Sequence, residues 1–179
     1  MGPAAYNRGH GTMIRQLHHN AYRCRDSEET RVFYEDFLGL PLAEALAIGT
    51  TKTGRRAQVL HTFYRLDDGS FLAFFEAPEE PFEFKAQRDF DLHIALEVSP
   101  EDLQTMLAKG RKAGIETRGP SDHGIVESIY FRDPNGYVIE LCAKRAGHDD
   151  MLDPNQNAAR DKLDAWQRAK ASPPTPVEA

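Results

Sequence analysis

Polar and apolar positions alternate in short runs along most of the chain, and helical spacing breaks in twice. LHHNAYRC (17–24) alternates as a strand does. The next segment, EETRVFYEDFL, spaces Val32, Phe33, Phe37 and Leu38 along the apolar side of a helix. Asp26 is placed to cap it with Glu29 as capping-box partner, Gly39 ends it, and Pro41 prevents continuation. Strands are predicted near 42–49, 57–66 and 70–77, the last two joined through Asp68-Gly69. The same order then resumes. DLHIALEV reads as a strand, Ser99 caps a helix with Pro100 at its first position, and Leu103, Met106 and Leu107 give that helix its apolar side before Gly110 and Gly114. Strands near 115–118, 125–132 and 137–143 complete the second copy, with Asp133-Pro134-Asn135-Gly136 turning between the final two.

The duplication also shows in spacing. His19 precedes Gly39 by 20 residues and His93 precedes Gly114 by 21. The predicted class is α+β, with paired βαβββ modules whose sheets curve around a cleft while the helices cover the outside. The organisation this implies is a flexible leader over 1–13, a first module over 14–78, a linker over 79–90 and a second module over 91–145. Residues 146–179 read as a C-terminal helix, capped by Asp153 with Pro154 at its first position, followed by a disordered tail, SPPTPVEA. Leu163 and Trp166 on one side of that helix are expected to pack onto the body or onto a second subunit.

Composition narrows the function classes. With 179 residues there is enough chain for a sizeable core. The net charge of −6 argues against a nucleic-acid partner, which calls for a basic face. No apolar run suits a membrane span, and the N-terminus lacks the apolar stretch of a signal peptide. Two cysteines, Cys24 and Cys142, are too few for a disulfide framework, so a cytoplasmic setting is expected.

Strand parity groups the chemistry-bearing residues. His19 shares a face with Ala21 and Arg23, His93 with Ala95 and Glu97, Glu76 with Phe74 and Leu72, and Glu140 with Val138 and Cys142. A carboxylate on a half-buried strand needs a cation or hydrogen-bond donors to offset its desolvation. One His and one Glu per copy make His19, Glu76, His93 and Glu140 a candidate set for a divalent ion with open coordination positions. Taken singly, each also reads as a packed or surface side chain. His18, on the opposite strand face, is expected to pack or to support a neighbour by hydrogen bonding.

The segments LHHNAYRCRDSEETRVFYEDFLGLPL, FLAFFE, DLHIALEV and SIYFRDPNGYVIEL resemble the vicinal oxygen chelate superfamily, which includes glyoxalase I, extradiol dioxygenases, and fosfomycin- and bleomycin-resistance proteins. The resemblance covers about residues 15–145 and implies the paired-module fold, a homodimer, a small-molecule substrate and a divalent cation (Zn, Ni, Mn, Co or Fe(II)). It places the ligands at His19, rather than His18, and at Glu76, His93 and Glu140.

Three functions follow from it. The expectation ranked first is a lyase or isomerase resembling glyoxalase I, in which Glu76 or Glu140 moves a proton beside a metal-stabilised oxyanion. Arg23 matches a glyoxalase arginine that meets the glutathione part of the substrate, yet the stretch after Glu76 lacks the asparagine expected for that thiol. Arg55, in the loop IGTTKTGRR, is a candidate contact for an anionic substrate. The second function is an extradiol-type dioxygenase with His19, His93 and Glu140 as an iron(II) triad, Tyr130 at that family's tyrosine position, and His123 as acid or base. The third is a binding or resistance protein without catalysis. Phe63, Phe71, Phe74 and Phe75 line either a pocket or the core.

Overall fold

The computed structural model describes residues 14–50 and 52–171, so the predicted leader and the SPPTPVEA tail lie outside the described residues. Two four-stranded sheets result. The first holds β1 (Tyr22–Arg23), β2 (Leu42–Thr50), β3 (Arg56–Arg65) and β4 (Phe71–Glu76) in the order β1-β4-β3-β2. The second holds β5 (His93–Glu97), β6 (Thr117–Asp122), β7 (Val126–Arg132) and β8 (Val138–Lys144) in the order β5-β8-β7-β6. In each the first strand runs parallel to its neighbour and the other pairs are antiparallel. This is the duplicated α+β fold that the pattern predicts.

Helix α1 (Ser27–Arg31) starts where Asp26 Oδ1 accepts the Glu29 N–H at 2.8 Å, and continues as a π-helical turn over Val32–Phe37. Gly39, at φ +85°, supplies the left-handed residue that ends it. Tyr34 from this turn packs on Phe74 at 4.6 Å and on Tyr64 at 5.5 Å between ring centroids, so the helical segment covers the Leu72/Phe74 face of the first sheet. Helix α2 (Pro100–Lys112) is capped by Ser99 and buries Leu103 and Leu107. Its Gly110 lies against the Phe131 ring, which puts the helix on the Ile129/Phe131 face of the second sheet.

Two predicted elements come out differently. The strand over 17–24 contracts to Tyr22–Arg23 plus an isolated bridge from His19 to Phe71, because Asn20 Oδ1 takes the Ala73 N–H that a continuing backbone ladder would use. Helix α4 (Ala159–Ala171) begins after the predicted Asp153 cap, beyond a short helix α3 (His148–Met151). Asp153 instead holds a turn through the Asn155 N–H and both neighbouring amide side chains, and Asn157 Oδ1 receives the Ala159 N–H.

The chain divides into two compact units. One runs through Gln87 and also takes in Asp133–Tyr137; the other comprises Arg88–Arg132 and the chain from Val138 onward. The Asp-Pro-Asn-Gly turn therefore belongs to the first unit. There Asp133 accepts from Tyr34 Oη, Asn135 Oδ1 accepts the Arg25 N–H, and Tyr137 Oη donates to the Arg23 carbonyl.

Candidate metal centre

In the second unit, the cross-strand register sets Ala95 opposite Glu140, Glu140 opposite Tyr130, and His93 opposite Val138. Directly opposed residues share a face. His93, Glu140, Tyr130 and Ser128 therefore stand on the side of the sheet away from α2. Glu140 is 7% exposed. Ser128 Oγ donates to its Oε1, and Tyr130 Oη donates to the same oxygen at 3.4 Å. Because the tyrosine has one proton to give, His123 Nε2 is the donor in its 2.7 Å bond to Tyr130 Oη. Burial first, and then the Glu140 charge, push the Tyr130 pKa up, so the hydroxyl stays protonated.

His93 is held from behind. Its Nδ1 bonds to the Asp89 carbonyl, which can only accept, so the neutral ring keeps its lone pair on Nε2. That nitrogen faces Glu140 Oε2 at 3.3 Å. Two lone-pair donors so placed repel unless a proton or a cation lies between them. Adjacent ligands of one divalent ion, at bonds of roughly 2.1 Å, sit about 3.0–3.4 Å apart, so the pair has the spacing that an ion requires. Fixing a ligating ring through its other nitrogen is also how metal histidines are oriented. The support extends further: the Asp89 carboxylate is gripped by Arg118 at 2.8 and 3.1 Å, and the Arg118 guanidinium lies 5.1 Å from the Tyr130 ring centroid. The hydrogen bonds from Arg118 pull the Asp89 pKa down.

In the first unit the structure separates His19 from Glu76. Leu60 and Glu76 are opposed, as are Thr62 with Phe74 and Tyr64 with Leu72, and this is the face that Tyr34 covers. Glu76 Oε2 there accepts the Ser27 N–H at 2.8 Å, at the first residue of α1. His19 belongs to the other face, with ring centroids 5.4 Å from Phe63 and 6.0 Å from His61. His18 does not point away from it. The two rings meet through their Nδ1 atoms at 2.8 Å, because this stretch is not a continuous strand and does not alternate as one. Among the described residues, no three His, Cys, Asp or Glu side chains gather to cage an ion.

The two arginines that the sequence singles out are engaged locally. Arg23 donates to the Ala77 and Glu80 carbonyls at 3.1 and 3.0 Å and lies over Phe82, clamping the loop after β4. Arg55 pairs with Glu80 at 2.7 Å. Of the four phenylalanines, Phe74 is fully buried under Tyr34, whereas Phe63, Phe71 and Phe75 are half-buried on the His19 side. Cys24 and Cys142 are free thiols.

Sequence reasoning missed Ser128, Asp89, Arg118 and His61. Ser128 had a signal, since it lies two residues before Tyr130 on a strand and must share its face. The other three depend on pairing that no local pattern encodes.

A family model described as the Glyoxalase/Bleomycin resistance protein/Dioxygenase superfamily matches residues 16–141, and the chain belongs to that superfamily. Among solved structures, the fosfomycin resistance protein FosX from Listeria monocytogenes aligns at 20% identity over 76% of this chain and 98% of its own, with a TM-score of 0.56. The same protein, in a mutant form, is known with Mn(II) and 1S,2S-dihydroxypropylphosphonic acid. A glyoxylase/bleomycin resistance protein/dioxygenase domain from Frankia sp. EAN1pec aligns at 18% identity over 75% of this chain and 96% of its own, with a TM-score of 0.60. A stretch of 40 residues is 45% identical to biphenyl-2,3-diol 1,2-dioxygenase 3 of Rhodococcus globerulus, covering 22% of this chain and 21% of that protein. Among the described residues, no helix is long and apolar enough to cross a membrane.

Proposed function

We propose that the protein is an iron(II)-dependent, extradiol-type dioxygenase acting on a small catecholic substrate, with His19, His93 and Glu140 as ligands. The observation that carries this reading is the His93–Glu140 pair, 3.3 Å apart, with Tyr130 and His123 linked in line behind the carboxylate. A two-histidine, one-carboxylate set leaves positions open on the ion, and iron(II), when bound, lets dioxygen react with an electron-rich ring. Ser128 and Tyr130 hold Glu140 in one orientation, and the Asp89 carbonyl does the same for His93. Exposed His123 donates to buried Tyr130, and Tyr130 to Glu140, so the pair steadies the charge of the carboxylate ligand. The likeness to the biphenyl-2,3-diol dioxygenase, though short, points to the same substrate class.

Glyoxalase-like proton transfer fits less well. It needs a second, mobile carboxylate at the ion, and Glu76 is committed to the Ser27 N–H on the helix-covered face. Homodimer formation, as the family resemblance implies, is part of the proposal.

The test is turnover after anaerobic loading with iron(II), read by an oxygen electrode. Catechols are expected to drive oxygen uptake matched by a ring-cleaved product. Turnover of 2-oxoaldehyde–thiol adducts without oxygen uptake would restore the lyase or isomerase reading.

A further inference from the structure

The first unit carries a histidine for which neither the family resemblance nor the ligand set accounts. His61 is 7% exposed and lies on the same face of the first sheet as His19, with ring centroids 6.0 Å apart. It is held by its surroundings. Its ring stacks on Phe75 at 3.7 Å with only 14° between the planes, Phe63 lies 4.2 Å away, and Nδ1 sits 3.0 Å from the Phe74 carbonyl oxygen. A carbonyl cannot donate, so Nδ1 carries the proton and Nε2 of the neutral ring is a fixed acceptor.

The two faces of this sheet differ in kind. The Tyr34 side is closed, with Tyr64 and Phe74 fully buried. On the His61 side, His18 and His19 are exposed, Phe63, Phe71 and Phe75 are half-buried, and Leu46, the direct cross-strand partner of His61, is 46% exposed. His61 stands on the open side, beside His19 and among aromatic rings.

We propose that His61 is a substrate-binding residue that sets specificity: its Nε2 accepts a hydrogen bond from a hydroxyl of an aromatic diol, whose ring rests against Phe63 and Phe75. Its ring contacts are aromatic and its hydrogen bond is to backbone. Such a setting suits a neutral hydroxyl donor and a planar ring, and offers nothing to neutralise a phosphonate. The inference rests on the catechol reading above and adds to it the residue that recognises the hydroxyl.

Zinc-loaded protein, which binds without turning over, allows the test by calorimetry with catechol and 1,2-dimethoxybenzene. His61→Phe keeps the aromatic stack but removes the acceptor, and is expected to weaken catechol binding about tenfold, the scale of one lost hydrogen bond. Binding of the dimethoxy compound should be unchanged, whereas a general collapse of the pocket would weaken both. His61→Gln, which restores an acceptor, should recover part of the preference for catechol. Zinc affinity should match wild type in both variants. Undiminished catechol binding by His61→Phe overturns the inference and leaves the catechol reading standing. A parallel loss of zinc affinity overturns it in favour of a ligand role. Wild-type protein that binds zinc but no catechol removes the substrate reading and this inference with it.

Discussion

Asp133 is 4% exposed and accepts four hydrogen bonds, from Tyr34 Oη, the Asn135 and Tyr137 N–H groups and Asn135 Nδ2. Burial nevertheless dominates and raises its pKa above the ordinary 3.8. The folded chain then holds this proton more tightly than the unfolded chain does. The stabilisation is complete below the unfolded value and is lost as pH rises through the folded one. Urea denaturation between about pH 3 and pH 6 should therefore show wild type losing stability relative to Asp133→Asn as pH rises. A wild-type advantage that grows over that window contradicts the raised value. Little of this is legible in the sequence. Asp-Pro-Asn-Gly announces a turn, but the Tyr34 hydroxyl lies 99 positions away and nothing local indicates that it arrives.

Strand parity was legible at the level of elements, and the face that each helix covers was not. The alternation correctly groups Glu76 with Leu72 and Phe74, and Glu140 with Val138 and Cys142. Apolar neighbours then suggest an inward position for both glutamates. In the first sheet, however, the Leu72/Phe74 face is the one under Tyr34, while in the second the helix covers the opposite parity, Ile129 and Phe131. Parity states which residues share a face and says nothing about what lies above it. The consequence for Glu76 is an anchoring role toward α1. Glu76→Ala should cost about 1 kcal/mol in chemical denaturation, the typical worth of a partly buried hydrogen bond, while Glu76→Gln, which keeps an acceptor, should cost only a few tenths. Equal and negligible costs for the two variants would remove that role.

For the molecule as a whole, the duplication was readable from the recurrence of strand, capped helix and glycine stop, and the two sheets repeat one strand order. The lodging of Asp133–Tyr137 in the first unit was not, since a turn between two strands of one sheet gives no sign of a second allegiance. The proposed ion takes His19, His93 and Glu140 as its ligands. Equilibrium titration of divalent iron or cobalt into wild type, His19→Ala, His93→Ala, Glu140→Gln and Glu76→Gln tests that proposal. Wild type should bind one ion per chain. The first three variants should each lose at least about a hundredfold in affinity, beyond the 10–100-fold typical of outer-shell changes, and Glu76→Gln should bind like wild type. Loss of binding in Glu76→Gln equal to that in Glu140→Gln, or full binding in His19→Ala, would contradict the three-ligand account.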